Sequence, residues 1–316
     1  MKKLTLIGIL ITGFITHGFG SELLTDKIKF ASIEKANELL TQEDDFTKSW
    51  SQFDIDSRMH KKNSTREELF DFITKQTREW TVEEQNKILS IFKGIDKQIE
   101  QQGFKINFPN EIYFVKTTAN EEGGAGGYTR ASYIVLKDDI LSQAKEGLKK
   151  TIIHELFHIL TRNSPEFRKE MYQIIGFKLM NEVAYPEKLK DYRITNPDAP
   201  QVDSYISIKA EGQRKDCMMI LYSNQDYNGG DFFKYLNVGF LSLKGDSVKT
   251  IEYIGDKPVI YTFKQVTGFF EQIGRNTQYI IHPEEILADN FAFAILNKSG
   301  LQNPEIVNEI KKKLKE

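Results

Sequence analysis

The chain holds one cysteine, Cys217, in 316 residues. No intramolecular disulfide can form, which excludes a disulfide-stapled secreted scaffold. In a β-type pattern Cys217 is expected to be a small buried apolar residue. An excess of basic charge is missing too. Lys+Arg total 43 against 45 Asp+Glu, for a formal net charge of −2. That leaves no basic face for nonspecific nucleic-acid binding, so nucleic acid is not an expected partner. Beyond the first twenty residues there is no long apolar run, and hence no expected stable membrane span. Internal repeats and low-complexity segments are absent as well. What is present is 40% hydrophobic and 28% charged residues, the balance of a folded chain with a sizeable core.

The first twenty residues stand apart. Lys2 and Lys3 precede a nearly unbroken apolar run, Leu4 to Ile15, and Gly18-Phe19-Gly20 offers small residues just before Ser21. This is the layout of a signal peptide over 1–20. The run is too short for a membrane span, and no cysteine stands at the cleavage point to take a lipid. The expected product is exported and soluble, secreted or periplasmic.

Residues 21–110 read as helical. Ile28, Ile33, Ala36, Leu39 and Leu40 recur at helical spacing. Ser64-Thr-Arg-Glu67 and Thr81-Val-Glu-Glu84 both fit a capping box. The character changes at 111. Glu111 to Thr118 and Ser132 to Lys137 have strand composition, separated by the glycine-rich stretch 123–127. A long helical pattern follows, from Leu148 through Leu160 to Asn163-Ser-Pro165, and another helix is expected from Pro165 towards Asn181. From about 200 to 265 the chain is β-rich, with a hairpin expected around Gly255 to Pro258. Two last helices start at Pro283 and Pro304, proline suiting a first helical position. The pattern predicts an α+β protein in which 111–316 forms one domain with a β-rich insertion at about 200–265.

Within the long helical pattern, His154-Glu-Leu-Phe-His158 fits H-E-x-x-H. Two histidines four apart lie one above the other on a helix, so both rings can converge on one metal ion. Glu155, beside them, can take a proton from a water at that ion. A catalytic zinc site usually takes a third protein ligand. Glu285 is the leading candidate. It begins Glu285-Ile-Leu-Ala-Asp289, and the spacing puts Glu285 and Asp289 on one face of the helix that starts at Pro283. Asp289 would then accept the free ring N–H of a histidine, His154 first. Glu284, Glu182 and His282 are the rivals for the third position. A transition-state donor is also needed; His282 leads Tyr185, Tyr128 and Arg130. Tyr133 to Lys137 is placed to serve as an edge strand that pairs with an extended substrate.

With His154, Glu155, His158, Glu285 and Asp289 in these positions, the sequence resembles the gluzincin metallopeptidases, which pair H-E-x-x-H with a glutamate from a later helix, often within E-x-x-x-D. The resemblance implies a zincin-like core, a Zn2+ cofactor, protein or peptide substrates, and Glu155 as the acid–base. It leaves out residues 21–110 and the β-rich stretch. The interval from His158 to Glu285 is also far longer than in thermolysin-like members. Two other readings stand beside it. One is an exported binding or scaffold protein with a degenerate zinc site, which would have no need of Glu155. The other is a toxin-like peptidase with one narrow protein target, in which 21–110 serves as a pro-region or targeting domain.

Overall fold

The computed structural model describes residues 23–316, so the expected signal peptide lies outside the described residues. Hydrophobic side chains from Leu24 to Leu314 join one principal core. Among the described residues no helix is long and apolar enough to cross a membrane.

Strands β1 (Ile28–Phe30), β2 (Ile112–Thr117), β3 (Gly127–Arg130) and β4 (Tyr133–Lys137) form a first sheet in the order β1-β2-β4-β3. β1, β2 and β4 run parallel, and β3 is antiparallel to β4. Side chains alternate across this sheet with the period of two that a strand imposes. Phe114, Ile134 and Leu136 face the principal core, with α5 (Val82–Gln102) and α6 (Lys145–Asn163). Val115, Tyr133 and Val135 face the other way. There they meet α1 (Ile33–Thr41), α2 (Asp45–Lys48), α3 (Gln52–Met59) and α4 (Arg66–Thr74).

Three expectations are corrected here. Ile28 belongs to a strand, not a helix: Asp96 accepts the Leu24 and Thr25 N–H groups and lays the next residues parallel to β2. The capping box of α4 is Thr65 with Glu68, not Ser64 with Glu67. Ser64 is already tied to α3, its N–H donating to Asp56 and its carbonyl accepting from Gln52. The box Thr81–Glu84 starts α5 as read. The third correction bears on function. β4 is an inner strand between β2 and β3, and the edge strands of the sheet are β1 and β3.

The helix α7 (Pro165–Ile174) is shorter than expected. Gly176, at φ +79°, ends it, and β5 (Phe177–Leu179) turns away to pair with β6 (Ser204–Ala210). The β-rich stretch builds a second, antiparallel sheet. β6, β7 (Gln213–Tyr222) and β8 (Asn237–Lys244) form its centre. β9 (Thr250–Ile251), β12 (Ile260–Tyr261) and β13 (Val266–Thr267) pair at its sides. β10 (Tyr253–Ile254) and β11 (Lys257–Pro258) make the small hairpin around Gly255. Cys217 is buried in β7 on the core side. A short helix, α8 (Phe270–Ile273), leads to α9 (Pro283–Ile295), and α10 (Pro304–Lys313) closes the chain.

α6 and α9 position the site. Every residue of α9 is buried, and α6 is buried round most of its circumference from Ile152 to Thr161. Helices of that kind belong inside a protein, each wrapped by neighbours. Phe157 of α6 packs on Phe291 of α9, with ring centroids 5.5 Å apart.

Candidate metal centre

The helical period brings His154 and His158 onto one face of α6, with ring centroids 4.9 Å apart. α9 lies across that face. The Glu285 carboxylate Oε2 is 3.0 Å from His154 Nε2 and 3.7 Å from His158 Nε2. One ligand atom from each of His154, His158 and Glu285 lies within 4.8 Å of the other two. Such a set can hold a metal ion.

The far sides of both imidazoles are tied to carboxylates. Asp289 Oδ1 is 3.2 Å from His154 Nδ1 and also pairs with Lys150 at 2.8 Å, while Thr277 donates its hydroxyl to Oδ2. Glu284 Oε1 is 3.2 Å from His158 Nδ1. Glu284 further accepts the Thr161 hydroxyl and, at 2.6 Å, the Tyr172 hydroxyl. Adjacent residues on a helix are about 100° apart, so Glu285 can face the gap between the rings while Glu284 backs His158. Burial favours protonation of Glu284, but His158, the Arg168 charge and Thr161 outweigh it and hold its pKa down at about 2.

His158 Nε2 supplies a test of fit. It is buried and has no hydrogen-bond partner among the described residues. A buried polar atom without a partner is costly and rare, and a ring with Nδ1 held by a carboxylate and Nε2 left bare is the usual state of a metal-binding imidazole. The donor set of two imidazoles and one carboxylate fits a zinc-type ion.

Glu155, one residue on from His154, is 3% exposed. The Thr129 hydroxyl of β3 donates to its Oε2 at 2.8 Å. Burial, and next the nearby Asp198 charge, lift its pKa to about 7, with the two histidines and Thr129 opposing. Gly127, also on β3, leaves room for the other oxygen: a Cβ there would stand 3.1 Å from Glu155 Oε1.

The remaining predicted residues fall elsewhere. Glu182 is exposed in the coil after β5 and does not join the cluster. His282 is the N-cap of α9; its Nδ1 accepts the Glu284 N–H at 3.2 Å. Burial pushes its pKa down to about 4, against the pull of Glu284 and Glu285. Tyr128 donates to Glu121, Tyr185 to the Leu221 carbonyl, and Arg130 to Asp44 and the carbonyls of Leu40 and Gln42.

Several residues at the centre carried no functional signal in the sequence. Tyr279 stacks on His154, with centroids 6.1 Å apart and planes at 30°. Its hydroxyl has no hydrogen-bond partner among the described residues. Asn196 Nδ2 donates to Glu285 Oε1 at 2.6 Å. Asp198 Oδ1 accepts the Thr129 N–H at 2.6 Å. A cavity lined by Gly127, Asn196, Asp198, Phe232, Tyr279 and Ile281 adjoins the cluster. Only the role of Glu284 had a trace in the sequence, as the first member of a Glu-Glu pair that can serve two rings.

No family model, no curated protein and no solved structure matches this chain.

Proposed function

We propose that this protein is an exported zinc-dependent metallopeptidase of the gluzincin type, with a zincin-like core built on α6, α9 and the first sheet. The observation that carries the reading is the bare, buried Nε2 of His158 beside Glu285, with its Nδ1 held by Glu284. His154, His158 and Glu285 would hold the zinc. Bound there, zinc supplies a Lewis acid that polarises a peptide carbonyl and lowers the pKa of a water.

This chain's own residues do the rest. Glu155 takes a proton from the attacking water and delivers it to the leaving amine, so one water is consumed per peptide bond broken. A pKa near 7 lets one carboxyl perform both transfers. Thr129 anchors Oε2, which turns Oε1 towards the Gly127 gap. Tyr279 takes the role of donor to the developing oxyanion, in place of His282. Its ring lines the cavity beside the cluster, whereas His282 is not among the residues lining that cavity. Tyr279 is 42% exposed, and its phenol carries a proton at neutral pH that it can donate. An extended peptide would pair with β3 at Gly127, because the N–H and C=O of Thr129 are already engaged by Asp198 and Arg162.

The test is turnover of a mixed peptide library with zinc and with chelator. Wild type should cleave in a chelator-sensitive way, and Glu155→Gln should keep one zinc per chain while losing at least ~100-fold in rate. Stoichiometric zinc without any cleavage by wild type would leave a binding protein instead.

A further inference from the structure

The segment from Thr195 to Asp198 crosses from the N-terminal helices to the ligand carboxylate. At its near end the Asp54 carboxylate of α3 accepts the Thr195 N–H at 3.1 Å and the Thr195 hydroxyl at 2.8 Å. Arg58, also on α3, donates to the Thr195 carbonyl at 3.1 Å. Asp54 and Arg58 are 0% and 2% exposed and pair at 2.7 Å, and Glu122 grips the same guanidinium at 2.8 Å. This anchor is buried and fully paired, so it is stiff. At the far end the Asn196 amide is oriented by two bonds. Its Oδ1 accepts the Asp198 N–H at 3.0 Å, which leaves Nδ2 to donate to Glu285 Oε1. Arg162 of α6 ties down the carbonyls of Pro197 and Asp198 at 3.1 and 2.9 Å.

The geometry points to Asn196 as a positioning residue for the third metal ligand, worked from the N-terminal helices through this strap. Asn196 holds Oε1 of Glu285, so that Oε2 alone meets the two imidazoles. A carboxylate held by one oxygen binds through the other, in one orientation, without the freedom to swing or to bind through both. Asp54 and Arg58 thus reach the metal centre through the strap, although they lie about a hundred residues before H-E-x-x-H. The inference rests on the metal-centre reading above and deepens it.

The experiment uses the full mature chain with zinc and with cobalt(II) as a spectroscopic substitute. Zinc affinity is measured by competition with a chromophoric chelator. Asn196 is half-buried, so Asn196→Ala should fold. It should bind zinc about 10–100-fold more weakly, and its cobalt(II) visible bands should lose intensity as Glu285 adds its second oxygen and the coordination number rises. Thr195→Val removes one bond of the strap to Asp54 and leaves Asn196 in place; it should move both readouts the same way by a smaller amount. Wild-type affinity and an unchanged cobalt spectrum in Asn196→Ala would overturn the positioning role while leaving the metal centre standing. A change in Asn196→Ala with none in Thr195→Val would overturn the link to α3. Wild type that binds neither ion would overturn the metal centre itself, and the inference with it.

Discussion

Glu284 offers a sharp test, because the proposed ligand Glu285 and the carboxylate proposed to support His158 are neighbours with opposite expected behaviour. Glu284 accepts from three buried donors: the His158 ring, Thr161 and Tyr172. Glu284→Ala strands the His158 ring and the Tyr172 hydroxyl, at about 1–3 kcal/mol each, while Thr161 keeps the His158 carbonyl as an acceptor. Against a typical total stability of about 5–15 kcal/mol, that variant should be strongly destabilised. Glu284→Gln is the informative change. Its amide oxygen can still accept from His158 and Thr161, and its amide nitrogen can donate to the Tyr172 oxygen. The charge behind His158 is lost while the shape is kept. The expected result is a folded protein whose zinc affinity falls about 10–100-fold, or about 1.4–2.7 kcal/mol. Glu285→Gln, which alters the proposed ligand, should lose far more. Chelator competition at pH 7 reads the affinities, and thermal melts with and without zinc separate folding from binding. Unchanged affinity in Glu284→Gln would refute the support role. Complete loss there, with full affinity in Glu285→Gln, would make Glu284 the ligand.

Three further outcomes follow from the same geometry. Tyr279→Phe should lower kcat about 100–1000-fold with zinc affinity intact; kinetics with normal kcat would return the oxyanion role to His282. Gly127→Ala places a methyl 3.1 Å from Glu155 Oε1, 3.2 Å from Leu136 Cδ2 and 3.3 Å from the Val135 carbonyl. Glu155, the proposed base, must shift, and kcat should fall about 10–100-fold while zinc stays bound; an unchanged rate would show that Glu155 has slack. His282 titrates at about 4 when folded, below its ordinary value of 6.5. The unfolded chain therefore binds its proton first, and stability is full above pH 6.5 and declines as pH falls towards 4. The fall from 6.5 to about 4 sets an upper bound of about 3 kcal/mol. His282→Asn keeps a capping oxygen and should flatten the acid-side fall in Tm of the chelated protein; equal slopes for both proteins would refute it.

How much of this was legible in the sequence depends on distance along the chain. His154 and His158 are four apart, and their shared face follows from the pitch of a helix whose apolar pattern is plain. Glu285 and Asp289 are legible for the same reason, and their helix is announced by Pro283. The capping boxes show the limit of local reading. Thr81–Glu84 had no competitor, whereas Ser64–Glu67 lost to Thr65–Glu68 because Ser64 is claimed by Asp56 and Gln52. β4 reads as a strand from its composition, but whether it stands at an edge depends on β2 and β3 lying on either side of it.

The order of residues alone settled the candidate chemistry: two imidazoles one helical turn apart with a carboxyl between them, and a second pair of carboxyls one turn apart far downstream. Those patterns are local, and local geometry is set by backbone pitch. Tertiary structure decided which of two adjacent glutamates faces the gap between the rings, which strand is open, and which coil residues reach the centre. Asn196, Asp198 and Tyr279 come from segments with no periodicity, so only the closing of α9 over α6, and the strap from α3, could bring them there.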